Sequence, residues 1–314
     1  MKCLYCYKNI TPPGKEYHEK CSRKLFSSGI TPVLDYRLSD LRPLAEEAIN
    51  RSLAITGVQK KISLDLSKDE GKRKRLTIVG LWGRYILKPP EKEYPEMPEL
   101  EDLTMHLAKI AGIETAEHGL IRFNSGELAY ITKRFDRTGN EKIAVEDFCQ
   151  LTENLTEHKY DGGSMEKVGK TIVMYSDITG LDLIKFFNVT VFSFLTGNSD
   201  MHLKNFSLIT EPENQIRFSP AYDLLPTKLL LPADKEEMAL PLNGKKKNLK
   251  INDFITFGKT IGIDIKVINY ELETFNSKLK EMLLFIENGF LKPQSIDKYQ
   301  NLIKSRALKL GFSF

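Results

Sequence analysis

The chain has 314 residues, 41% apolar and 28% charged, with a formal net charge of +4. These values are ordinary for a soluble chain with a sizeable core, and the mild charge does not argue for nucleic acid. No apolar run reaches membrane-spanning length, and Met1-Lys2-Cys3-Leu4-Tyr5-Cys6 lacks the apolar stretch of a signal peptide. The expectation is a cytoplasmic protein without direct membrane contact, whose four cysteines are ligands or core residues rather than disulfides.

Residues 1–24 form a small polar segment holding Cys3, Cys6, His18 and Cys21. The pairs Cys3-x2-Cys6 and His18-x2-Cys21 offer four zinc-type ligands in two knuckles, and the alternative is a metal-free tail. Residues 52–66 alternate well enough for two short strands around Gly57. Arg75 to Val79 and Arg84 to Lys88 read as a hairpin turning near Leu81 to Gly83, ended by Pro89 and Pro90. Glu99 to Ala111 has helical spacing and stops at Gly112. Leu120 to Phe123 and Glu127 to Lys133 predict a second hairpin around Asn124-Ser125-Gly126. Beyond Phe135 the pattern is mostly helical. Asp182 to Leu195 is apolar on nearly every side and predicts a buried helix. Phe206 to Ile209 and Gln215 to Phe218 predict a short hairpin, and helices follow near 251–261, 270–288 and 294–310. The order predicts an α+β fold with a small β-rich N-lobe over 25–135 and a larger helical C-lobe over 136–314, after the 1–24 segment.

Phosphoryl transfer needs a lysine for the phosphates, an acid to orient it, a base for the acceptor hydroxyl, and an Asn and Asp for metals. Candidates occur in that order. Lys88 ends a strand whose apolar neighbours would bury its stem; a surface lysine is the alternative. Glu101 stands near the start of the predicted helix, where it would pair with Lys88, with Glu99 and Asp102 as rivals. Asp200-Met201-His202-Leu203-Lys204-Asn205 has the Asp-x4-Asn spacing of a kinase catalytic loop, after a buried helix and before a strand. Asp223 follows the next strand in Pro220-Ala221-Tyr222-Asp223-Leu224-Leu225-Pro226, where a second metal ligand belongs, although no glycine follows it. Thr56-Gly57-Val58-Gln59-Lys60-Lys61 stands where a phosphate-covering loop belongs, with a single glycine.

Taken together, Ile55 to Lys61, Ile86 to Pro90, Lys133 to Arg137, Asn198 to Asn205 and Pro220 to Asp223 resemble the motifs of HipA-type serine/threonine kinases. The likeness runs from about residue 52 onward. It implies a kinase-like fold, ATP with magnesium, and a protein Ser or Thr as acceptor. It assigns the phosphate loop to Thr56 to Lys61, the ATP lysine to Lys88, and the adenine hinge to Lys133, Arg134 and Phe135. Asp200 becomes the base. His202, Leu203, Lys204 and Asn205 lie against the nucleotide, and Tyr222 and Asp223 complete the site.

The stretch before the phosphate loop is shorter than in full-length HipA and resembles the short kinases called HipT. That resemblance implies a toxin of a toxin–antitoxin module with an aminoacyl-tRNA synthetase as target. It also implies two partners: a small companion protein in place of the missing N-terminal subdomain, and a helix-turn-helix DNA-binding antitoxin. Related loops carry serines that accept phosphate. Here Ala54 replaces one, and Thr56 is the remaining hydroxyl, an expected autophosphorylation site. Two other functions compete: a zinc-dependent protein or nucleic-acid binding module whose kinase-like lobe is inactive, and a kinase for a small molecule or lipid. Cys149 reads as a core thiol, and His106 and His118 as structural or solvated.

Overall fold

The computed structural model describes residues 1–11, 14–41, 61–68, 74–80, 82–138 and 141–313. The chain packs as two units. The first comprises Met1–Asp102 with Ala116–Phe135, and the second Leu103–Thr115 with Asp136–Phe314.

A five-stranded antiparallel sheet organises the first unit. Its strands are β1 (Ile62–Lys68), β2 (Lys74–Ile78), β3 (Tyr85–Lys88), β4 (His118–Arg122) and β5 (Leu128–Lys133), in the order β2-β1-β3-β5-β4. The pairing corrects one expectation. β2 and β3 are not hairpin partners, because β1 lies between them, with Leu64 opposite Ile78 on one side and Tyr85 on the other. The turn residues between β2 and β3 mark where the chain reverses, but they do not say which strand fills the gap. The β4–β5 hairpin forms as expected, with Gly126 at φ 105° in its turn. Only glycine takes that conformation without strain. Leu64, Leu76, Tyr85, Leu87 and Ile131 share one buried face, and Leu120 is buried on the other, opposite Tyr130.

The N-terminal segment is no bare tail. It holds the helix Glu19–Phe26 and buries Leu4, Tyr17, Leu25 and Phe26, with Tyr17 against Phe26 and Phe26 against Tyr85. The expected strands around Gly57 lie mostly outside the described residues; the part within them is β1.

The helix Met97–Ile110 starts two residues earlier than its spacing predicts and ends before Gly112, at φ 85°. Its residues 97–102 belong to the first unit and 103–110 to the second.

In the second unit, the helix Thr179–Thr196 is the core element. Phe186, Phe187, Phe192, Phe194 and Leu195 are buried, and Phe186 packs against Phe206, Phe218 and Phe257. Its buried hydroxyls need partners inside the helix. Thr190, Ser193 and Thr196 donate to the carbonyls of Phe186, Val189 and Phe192. Strands β9 (Ser207–Thr210) and β10 (Ile216–Phe218) pair as expected, and β8 (Val145–Asp147) adds a third strand beside β9. Helices Ile251–Thr260, Ile265–Ile286 and Pro293–Lys309 follow. The helix Met165–Tyr175, which the sequence reading missed, is capped by Ser164 accepting from the Lys167 amide.

Candidate active site

In the first unit, β3 ends on Lys88, and Glu101 follows the first turn of the helix Met97–Ile110. The Lys88 ammonium donates to Glu101 Oε1 at 2.5 Å, with side chains 3% and 1% exposed. Lys88 also lies 5.3 Å from the centroid of the Tyr130 ring. The lysine is therefore buried rather than a surface side chain. Of the three acids, Glu101 makes this bond. Asp102 is engaged elsewhere, accepting from the Tyr7 hydroxyl at 2.8 Å and meeting His118 Nδ1 at 2.6 Å. That makes His118 a buried, bonded side chain. Of the hinge residues, the Lys133 amide donates to the Glu117 carbonyl, its ammonium reaches Ser27 at 3.4 Å, and the Arg134 amide bonds Arg84. Lys61 precedes β1, while Ala54 and Thr56 to Lys60 lie outside the described residues.

In the second unit, the Thr179–Thr196 helix ends on Gly197 at φ 73°, and the chain enters the Asp-x4-Asn loop. The loop is tied at several points. The Asp200 amide bonds Asn198 Oδ1 at 3.2 Å, and the Ser199 amide bonds Thr227 Oγ1 at 2.8 Å. The Asn205 amide nitrogen donates to the Asp200 carbonyl at 2.8 Å. That bond leaves the Asn205 amide oxygen as the atom able to meet a cation. That oxygen and the Asp223 carboxylate are hard donors of the kind Mg2+ takes, and they are the atoms that would hold it.

Asp223 sits at φ 55°. A left-handed backbone costs an aspartate less than most residues, and here aspartate itself takes the strained position without a glycine following it. Tyr222 donates to the Lys204 carbonyl at 3.1 Å and accepts from the Ser207 hydroxyl. Lys204 reaches Asp147 at 3.4 Å, and Leu203 is buried. His202 is buried, and desolvation pushes its pKa down to about 4, against an opposing pull from Asp200 and Asp223. Both carboxylates therefore act on one neutral imidazole.

A model of the HipA-like C-terminal domain matches residues 53–283. This chain belongs to that family. Among its relatives, the putative kinase Y4dM of Sinorhizobium fredii is 36% identical over 185 residues, 55% of this chain and 45% of that protein. A putative kinase of Haemophilus influenzae is 29% identical over 78% of this chain and 77% of its own length. The HipA serine/threonine kinase toxin of Shewanella oneidensis is 26% identical over 60% of this chain and 50% of that toxin. The chain thus spans about half the length of two of these relatives. The Shewanella HipA structure, solved with HipB and operator DNA, matches with a TM-score of 0.66 at 20% identity, covering 83% of this chain and 66% of that one. The Helicobacter pylori proinflammatory kinase CtkA matches with a TM-score of 0.53 at 18% identity, covering 72% and 87%. The HipA-like fold, α+β and kinase-like, is what these matches share. Among the described residues no helix is long and apolar enough to cross a membrane.

One feature of this HipA-like chain was not legible as a site residue. Tyr160 donates to Asp200 Oδ1 at 2.6 Å and packs edge-on to His202 at 4.9 Å. Burial and the Asp200 carboxylate push the Tyr160 phenol upward, so it stays a donor. The only hint was a polar Tyr-Asp-Gly-Gly stretch, and nothing local assigns it to Asp200. The four zinc-type ligands expected from sequence, Cys3, Cys6, His18 and Cys21, converge. Their ligand atoms all lie within 4.8 Å of one another. His18 Nδ1 is 3.4 Å from Cys6 Sγ and 3.8 Å from Cys21 Sγ. Cys149 is buried, and burial raises its thiol pKa.

Proposed function

We propose that this chain is an ATP-dependent protein serine/threonine kinase and the toxin of a HipA/HipT-like toxin–antitoxin module. The observation that carries the kinase reading is the buried Lys88–Glu101 pair. Two charges withdrawn from water cost several kcal/mol, and a phosphate-binding role accounts for an ammonium held at a strand end.

Lys88 meets the ATP phosphates and Glu101 fixes its position. Lys133, Arg134 and Phe135 border the adenine, and Thr56 to Lys61 cover the phosphates. Asn205 and Asp223 hold magnesium, which when bound neutralises charge on the phosphates. Asp200 accepts the proton of the Ser or Thr hydroxyl as that oxygen attacks the γ-phosphorus and the bond to the β–γ bridging oxygen breaks, releasing ADP. His202, neutral at pH 7, lies beside Asp200. Tyr160 orients the Asp200 carboxylate until an acceptor hydroxyl replaces it.

The Shewanella relative, solved with HipB and operator DNA, supports a helix-turn-helix antitoxin as partner. The family resemblance points to an aminoacyl-tRNA synthetase as target, to a small companion protein replacing the N-terminal subdomain, and to Thr56 as the residue the kinase marks on itself. The division into a 1–24 zinc segment, a 25–135 N-lobe and a 136–314 C-lobe is part of the same proposal.

Asp200→Asn tests the assignment. Loss of a general base slows transfer by about 100-fold or more while leaving nucleotide binding intact. Labelled ATP in host lysate should mark one target protein with the wild type and none with the variant. Undiminished labelling by the variant removes Asp200 from the role, and no labelling by either protein removes the kinase reading.

A further inference from the structure

The N-terminal knuckle has a geometry that its own packing does not require. The Cys3 amide bonds the Lys8 carbonyl and the Tyr7 amide bonds the Cys3 carbonyl, which turns Cys3 and Cys6 toward one point. His18 directly precedes the Glu19–Phe26 helix, so its imidazole and the Cys21 thiol project from adjacent turns. The remaining imidazole nitrogen, Nε2, lies 3.1 Å from the Asn9 carbonyl. That contact selects the tautomer with a proton on Nε2 and turns Nδ1 toward the thiols, the outer-shell bond that metal-ligating histidines make.

A tetrahedral ion with zinc–sulfur bonds of about 2.3 Å and zinc–nitrogen bonds of about 2.0 Å sets its ligand atoms about 3.5–3.8 Å apart. The observed 3.4 and 3.8 Å from His18 Nδ1 to Cys6 and Cys21 fit that spacing. Cys3 and Cys21 are buried, and all four cysteines of the chain are free thiols. Three thiols and one imidazole are soft donors, suited to zinc rather than magnesium or calcium.

The same knuckle reaches the Lys88–Glu101 pair along a chain of short contacts. Tyr7, one residue past Cys6 and held at φ 61°, donates to Asp102 at 2.8 Å. Asp102 adjoins Glu101 and also holds His118 at the start of β4. On the other side, the Leu4 carbonyl accepts from the Leu120 amide, and Tyr5 donates to Glu117 at 2.5 Å. Gly119 lies close beneath, where a Cβ would stand 3.0 Å from the Tyr17 hydroxyl and 3.2 Å from Leu25.

We propose that Cys3, Cys6, His18 and Cys21 bind one structural Zn2+, and that this knuckle, through Tyr7 and Asp102, holds the helix turn that presents Glu101 to Lys88. The ligands touch no substrate; the zinc acts as a positioning element. Its effect on nucleotide rests on the kinase reading of Lys88, whereas zinc content and backbone protection do not.

Three readouts on the full chain test the proposal. Elemental analysis of protein never exposed to chelator should give one zinc per chain. Protein that carries none and takes up none from a zinc solution overturns the site. Hydrogen exchange of peptides covering residues 97–102 and 118–122 should speed up when zinc is stripped and recover on its return; exchange that does not change overturns the brace. Tyr7→Phe keeps all four ligands and guards against a Cys3→Ser variant that fails to fold. It should retain one zinc while exchange rises in 97–102, and a variant indistinguishable from wild type there also overturns the brace. ATP affinity should fall on stripping and in Tyr7→Phe. If exchange responds as expected while Lys88→Ala leaves ATP affinity untouched, the brace stands and the kinase assignment of Lys88 is what fails.

Discussion

Lys88 and Glu101 form a contact whose worth depends on both partners being present. Glu101→Gln leaves a buried ammonium without its counter-charge, and stability should fall by about 3–5 kcal/mol in denaturant titrations. The double change Lys88→Met with Glu101→Leu removes both charges and should restore much of that stability, yet ATP affinity should stay lost. A double variant that still binds ATP normally would show the pair to be structural only. His202 offers a pH test. Its folded pKa near 4 lies below the ordinary 6.5. Between those values the unfolded chain binds a proton that the folded chain does not. Stability is therefore fully present above pH 6.5 and falls as pH drops toward 4, on the order of 3 kcal/mol in total. His202→Asn should flatten melting temperature across that window, and an unchanged slope assigns the acid sensitivity to other groups.

Elements place these side chains by how they end. The Thr179–Thr196 helix stops at Gly197, whose left-handed backbone aims the chain into Asn198-Ser199-Asp200. A Cβ there would stand 2.7 Å from Leu302 Cδ2 and 3.2 Å from Lys228 Cβ, and the Gly197 carbonyl accepts from the Lys228 amide. Gly197→Ala should destabilise the protein by about 1–3 kcal/mol through backbone strain and crowding, and transfer should fall more than nucleotide binding. A thermal melt identical to wild type would mean that the helix end relaxes without cost. The element level is also where periodicity worked best. The buried helix, the β4–β5 and β9–β10 hairpins and the last three helices follow from apolar spacing and turn residues. The helix Met165–Tyr175 escaped because four of its residues, Glu166, Lys167, Gly169 and Lys170, dilute the apolar stripe.

The two units each carry one part of the proposed chemistry, Lys88 with Glu101 in the first and Asp200, Asn205 and Asp223 in the second. In the proposed reading Asn205 and Asp223 hold the metal, so the magnesium dependence of ATP affinity tests the second set. Wild-type affinity for ATP should rise with magnesium by ~10-fold or more, because the cation offsets phosphate charge that Lys88 alone does not neutralise. Asp223→Ala should lose most of that increase while the magnesium-free affinity stays close to wild type. Equal magnesium dependence in the two proteins would take Asp223 out of the metal site.

Local chemistry determined a good part of this protein from sequence alone. Apolar spacing, proline stops and Asn-Ser-Gly or Gly turns act over a few residues, so they are readable without knowing any partner. The order of Lys88, the Asp200-x4-Asn205 loop and Asp223 is equally local, which is why the family was recognisable. Tertiary structure decided the matters of partnership. It inserted β1 between β2 and β3, paired Lys88 with Glu101, brought Tyr160 onto Asp200, and converged Cys3, Cys6, His18 and Cys21. Each of these joins residues that several spacings would allow. Which pairing forms depends on the apolar area buried and the polar groups left to satisfy across the whole core, and no window of sequence contains that comparison.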